Sequence, residues 1–76
     1  MEREKTLRDL RPGQEAVVAA LRSTGTMRRR LRDLGLIEGT KVRCLGVSPL
    51  GDPAAYAIRG AVIALRGEDS GQVLLH

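Results

Sequence analysis

Seventy-six residues hold one domain, and a chain of that size buries only about 60% of the surface it exposes when unfolded, which leaves no volume for an enzyme-sized cleft. Thirteen Lys and Arg oppose nine Asp and Glu, and the resulting charge of +4 suits phosphate, an anionic membrane face or an acidic protein surface without choosing among them. The apolar residues are almost all Ala, Val, Leu and Ile, with Tyr56 the sole aromatic, so the core has to be aliphatic and a base-stacking platform for single-stranded nucleic acid is disfavoured.

The chain opens on Met1-Glu2-Arg3-Glu4-Lys5, alternating charges with no apolar run behind them, so neither a signal peptide nor a membrane span is expected. Thr6-Leu7-Arg8-Asp9-Leu10 places a hydroxyl three residues before an acid and leucines at i and i+3, which predicts one capped helical turn, ended by Arg11-Pro12-Gly13. Residues 14–22 follow a Pro-Gly turn signal and carry an apolar, partly β-branched run, which predicts a strand. Ser23, Thr24 and Thr26 are candidate N-caps for a helix whose buried stripe is Met27, Leu31 and Leu34. Gly35 stands where a helix commonly ends in a left-handed residue, after which Leu36 and Ile37 fold back toward the core.

Glu38-Gly39 makes the next turn, and residues 40–47 alternate Val42 and Cys44 with Lys41 and Arg43, the pattern of a half-buried strand. Residues 48–53, Ser-Pro-Leu-Gly-Asp-Pro, are dense in turn formers and predict the tip of a hairpin. Tyr56 and Ile58 alternate with Ala57 and Arg59, Gly60 permits a tight reversal, and Ile63 and Leu65 alternate with Ala64 and Arg66, giving two more strands. Residues 67–71 read as a polar connection and residues 72–76 as a last strand. The expectation is a mostly β, small closed barrel of five strands with one α-helix after the first strand and a short N-terminal helical turn, a single domain over residues 1–76.

The residues also resemble the FeoA family of ferrous iron transport accessory proteins. Its opening Leu-x-x-Leu-x-x-Gly is matched by Leu7, Leu10 and Gly13, and its helix end by Arg30-Leu31-Arg32-Asp33-Leu34-Gly35-Leu36. Its Gly-Thr-x-Val is matched by Gly39-Thr40-Lys41-Val42, and its Pro-Leu-Gly-Asp-Pro loop by residues 49–53. Gly60 with Ile63-Ala64-Leu65-Arg66 continues the match, so the resemblance covers nearly the whole chain. It implies an SH3-like barrel, a bacterial cytoplasmic setting, peripheral at the inner face of the membrane if anywhere near it, and a role beside the ferrous iron transporter FeoB, with the transporter's cytosolic GTP-binding part as partner. The same barrel resembles the C-terminal module of iron-dependent repressors; with Met1 at its start the chain is expected to be free-standing, which favours the transport reading.

Arg28, Arg29, Arg30 and Arg32 form the sharpest charge feature, with Arg29 and Arg32 turned from the buried stripe and Arg28 and Arg30 beside it. Arg28, Arg29 and Arg32 are therefore candidate contacts for an acidic protein surface or anionic lipid headgroups, against the alternative of a solvated face partly neutralised by Asp33. Nucleic-acid binding by a small β-barrel through the same ridge is the runner-up, although no Asn or Gln on the helix could read a base. Leu36, Ile37 and Leu50 fall in turns, where an exposed apolar side chain is a candidate contact, and Leu36, Leu50 and Asp52 are taken as the contacts of shape. Self-association through exposed strand edges is left open.

No metal site and no cofactor is expected. Cys44 is the only cysteine, which excludes an internal disulfide and fits a reducing compartment; its alternation with charged residues reads as a small buried apolar group. His76 is terminal and expected to be mobile, and the carboxylates lack the spacing of a ligand set. A lone His with no base geometry toward Cys44 or a serine, and no glycine-rich phosphate loop, argue against catalysis.

Overall fold

The computed structural model describes residues 4–76, so the expectation for the chain's opening at Met1, Glu2 and Arg3 lies outside the described residues. A 3₁₀ turn at Leu7–Asp9 comes first. It is followed by strand β1 (Glu15–Leu21), helix α1 (Gly25–Asp33), β2 (Lys41–Val47), β3 (Ala54–Ile58), β4 (Ala61–Leu65), a single helical turn α2 (Gly67–Ser70) and β5 (Val73–Leu75). All five strands pair antiparallel in the order β4-β3-β2-β1-β5. The expected turn, helix and five strands are all present, each within a residue or two of its expected bounds.

Strand β1 serves two neighbours in succession. Its first half pairs with β2, Ala16 opposite Val42, and its second half pairs with β5, Leu21 opposite Val73, with a register irregularity between Val18 and Ala20. Such an irregularity bends a strand and increases its twist, which lets one strand pass from one layer to the next. The ladder does not run full circle, because β4 and β5 are the two ends of the hydrogen-bonded order. The barrel expected from the sequence is closed by packing instead. Leu65 at one end and Val73 and Leu75 at the other are buried in the same cluster as Val18, Val42 and Ile58.

Residues 67–71, expected to be a polar connection, form helix α2 with Asp69 and Ser70 buried. The turn is too short and too polar to show helical periodicity. It is held by hydrogen bonds, the Ser70 and Gly71 N–H groups donating to the carbonyls of Arg66 and Gly67.

The N-terminal turn is capped as expected, the Thr6 N–H and hydroxyl both donating to Asp9 Oδ2 at 2.9 and 3.2 Å. Leu7 and Leu10 thereby enter the core, and Leu7 meets the one aromatic residue. The Tyr56 hydroxyl donates to the Leu7 carbonyl at 3.4 Å. Cys44 is buried, as its alternation with Lys41 and Arg43 predicted. Terminal His76 is tied down by its backbone, since its N–H donates to the Val17 carbonyl at 2.9 Å.

Burial pushes the Tyr56 hydroxyl above its ordinary pKa near 10. The unfolded chain then gives up this proton first, so above pH about 10 the folded state holds more protons than the unfolded state, and stability falls as pH rises toward the higher folded value. Urea midpoints of the wild type and Tyr56→Phe are expected to draw together between pH about 9 and 11, because the Phe variant lacks this proton. A constant difference between the two proteins across that window would contradict the coupling.

Candidate functional site

Helix α1 is nine residues long, and its arginines follow from how it ends. Leu34 still donates to the Arg30 carbonyl, the Gly35 N–H donates to Arg32, and the Leu36 N–H reaches back five residues to Leu31. This double closure needs a left-handed residue at its centre, and Gly35 supplies it with φ +100°. A Cβ at Gly35 would also stand 2.9 Å from the Arg59 Cδ. The motif brings the residue after the glycine over the last apolar residue of the helix, and Leu31 and Leu36 are both fully buried.

That geometry corrects one expected contact. Leu36 has no exposed surface and belongs to the core, so it presents nothing to a partner. The neighbouring Ile37 is half-buried instead and lines three clefts, of which two, of about 400 and 440 Å³, are also lined by Arg28 and Arg32. Arg29 and Asp33 line the larger of these two, and Ala19, Ala20 and Glu38 the other. Arg28, Arg29 and Arg32 are thus brought together as expected. Ile37 falls in the same turn as Leu36 and is a candidate apolar contact in the sequence on that ground alone.

All four α1 arginines are exposed, and among the described residues none of them is ion-paired. The ion pair between Arg29 and Asp33 that the alternative of a neutralised face invokes does not form. Holding two long exposed side chains in one geometry costs entropy that the Coulomb gain in water barely offsets. The ridge therefore stays available as positive charge next to a half-buried apolar residue.

Leu50 and Asp52 lie elsewhere, at the hairpin tip between β2 and β3. Leu50 is 94% exposed, the largest exposure among the described big apolar residues. Asp52 lines a small cleft with Arg8 and Tyr56, and its Oδ1 accepts the Gly67 N–H at 2.6 Å, so it caps α2 from across the fold. Arg66, the residue that precedes α2, makes no side-chain capping bond of its own. Asp52→Ala is expected to cost about 1 kcal/mol and to shift the Gly67 amide resonance. Unchanged urea stability together with an unchanged Gly67 resonance would show that the cap does not hold α2.

Cys44 sits in the core with its thiol nearest the Gly46 carbonyl at 4.0 Å, and among the described residues no three His, Cys, Asp or Glu side chains converge as a ligand set would. No described helix is long and apolar enough to cross a membrane.

Five antiparallel strands packed as a barrel, with a basic ridge and open clefts, define a mostly β, SH3-like domain. The FeoA domain model matches residues 5–76, and the chain belongs to the FeoA family. It is 30% identical over 67 residues to a Porphyromonas gingivalis protein that fuses Fe(2+) transport protein A to the Fe(2+) transporter FeoB; the match covers 88% of this chain and 8% of that protein's length. The solution structure of the FeoA protein of Chlorobium tepidum is 33% identical with a TM-score of 0.86, covering 95% of this chain and 69% of the other. The zinc complex of Stenotrophomonas maltophilia FeoA, described as a procaryotic SH3 domain protein, is 29% identical with a TM-score of 0.84, covering 95% of this chain and 89% of that one.

Proposed function

We propose that this protein is a cytoplasmic, non-catalytic accessory of bacterial ferrous iron uptake that binds the cytosolic GTP-binding part of the ferrous iron transporter. The observation that carries the proposal is the relative in which the same kind of domain is fused to FeoB, since fusion keeps two units at high effective concentration and suits units that act on each other. The description of the Stenotrophomonas protein as a suggested ferrous iron transport activating factor agrees with it.

The unpaired ridge of Arg28, Arg29 and Arg32, with Ile37 between its two clefts, is the contact this reading favours. Charge steers the encounter, and the apolar residue provides surface that loses water on contact. Leu50 offers a second apolar contact at the hairpin tip. Lipid headgroups beside the transporter would add to the attraction for the same ridge.

The test is an amide NMR titration of the labelled protein with the cytosolic domain of its cognate transporter at low and moderate salt. Localised shifts on residues 28–37 are expected. The triple variant Arg28→Glu, Arg29→Glu, Arg32→Glu is expected to bind at least about tenfold more weakly with its fold intact, because these side chains are exposed and support no packing. Unchanged affinity of that variant would remove the ridge from the interface, and no shifts at millimolar partner would sink direct binding to that domain.

A further inference from the structure

Strand β4 is an end of the sheet, and its sequence Ala61-Val62-Ile63-Ala64-Leu65 contains none of the usual devices that blunt an edge: no charge, no proline, no bulge. Its pairing with β3 fixes which backbone groups stay unused. The hairpin turns through two residues, Arg59 and Gly60, both at positive φ, so Ile58 and Ala61 are the pair that exchanges hydrogen bonds next to the turn. Hydrogen-bonded pairs alternate along an antiparallel ladder, so Ile63 and Leu65 also bond inward, to Tyr56 and Ala54. Val62 and Ala64 are left with N–H and C=O groups aimed away from the sheet, and among the described residues these meet no other backbone or side-chain partner.

The space beyond this edge is shaped rather than flat. A cleft of about 410 Å³ runs from Ala64 to Met27 and Arg30 of α1, with Arg66, Pro53, Glu68 and the buried Asp69 completing its lining, so the two arginines face one exposed carboxylate there. Arg59 stands at one end of the strand and Arg66 at the other. Arg66 lies 3.9 Å from Glu68 with both side chains 75% exposed, a pairing too weak to occupy the guanidinium. Val62 is 71% exposed beside these groups.

We infer that β4 accepts an extended, acidic segment of another protein by strand addition, the Val62 and Ala64 backbone groups forming its hydrogen bonds, the Met27 side chain adapting to its apolar residues, and Arg30 and Arg66 receiving its carboxylates. The main chain gives affinity in this mode, and the flanking side chains give selectivity. A second copy of this chain is the poorer occupant. Antiparallel self-pairing centred on Ile63 would set Arg66 of each copy opposite Gly60 of the other, next to Arg59, and so place like charges together at both ends. The edge lies apart from the Arg28, Arg29 and Arg32 clefts, and the inference stands whether or not the transporter is the partner.

The probe is an end-blocked peptide whose Thr-Val-Thr-Val centre is flanked on both sides by paired acidic residues, titrated into the labelled full chain. Expected are downfield shifts and slowed hydrogen exchange at the Val62 and Ala64 amides. The same peptide N-methylated through its centre keeps its charges but cannot join a ladder, and is expected to bind at least about tenfold more weakly. Equal binding by the methylated peptide, shifts confined to Arg28, Arg29, Arg32 and Ile37 with none at Val62 and Ala64, or no shifts at millimolar peptide would each overturn the inference. Shifts of Val62 and Ala64 with protein concentration alone would also overturn it, by assigning the edge to self-association.

Discussion

Tyr56→Ala is expected to leave a large fraction of the domain unfolded at room temperature, with a loss of about 3–5 kcal/mol. The side chain is the largest of those fully buried, and every other member of its cluster is aliphatic or Cys44, so no second ring can move into the space. A domain of this size rarely draws more than about 3–5 kcal/mol from its single core, and the deletion therefore removes a quantity comparable to the whole. Tyr56 also ties distant parts of the chain, since β3 meets the N-terminal turn through its hydroxyl and the Leu7 carbonyl. Tyr56→Phe isolates that bond. It is expected to cost about 1 kcal/mol or less at neutral pH, because the contact is long at 3.4 Å and the Leu7 carbonyl also accepts the Leu10 N–H at 3.1 Å. Urea denaturation followed by far-UV circular dichroism measures both. A loss under about 1 kcal/mol for Tyr56→Ala would mean that the ring is not the keystone of the core.

The elements that could be read from the sequence are those whose pattern is local. Val42 and Cys44 against Lys41 and Arg43 give a period of two, which survives as alternate burial in β2. Met27, Leu31 and Leu34 give the helical period, and Gly35 marks the end of α1 because few other residues adopt its backbone conformation. What could not be read depends on distant partners. Helix α2 is four residues long, and its first N–H finds Asp52, fifteen positions earlier in the chain. The change of partner along β1 between Val17 and Val18, the irregularity at Ala19 and the open ends at β4 and β5 are likewise set by which strands meet, and no residue type marks them. For the candidate site the same division holds. The arginines of α1 are evident from composition, whereas the apolar residue beside them is Ile37 rather than Leu36, a choice made by the hydrogen bonds around Gly35.

Leu36→Ala puts that choice to the test. A residue in a turn and a residue in a core respond in opposite ways to truncation, and full burial predicts a loss of about 2–5 kcal/mol in urea stability for Leu36→Ala. Leu50→Ala, at 94% exposure, is expected to stay within about 0.5 kcal/mol of the wild type. The loss at Leu36 is expected toward the upper part of its range because the contact with Leu31 does two jobs. It fills the core, and it holds the double hydrogen-bonded closure that points α1 and its arginines outward. Loosening it would therefore weaken binding at the ridge only in proportion to the unfolded fraction, and a saturating titration would recover the same shifts on residues 28–37. Lost affinity in a fully folded Leu36→Ala protein would instead return Leu36 to the interface and require the end of α1 to open when the partner binds.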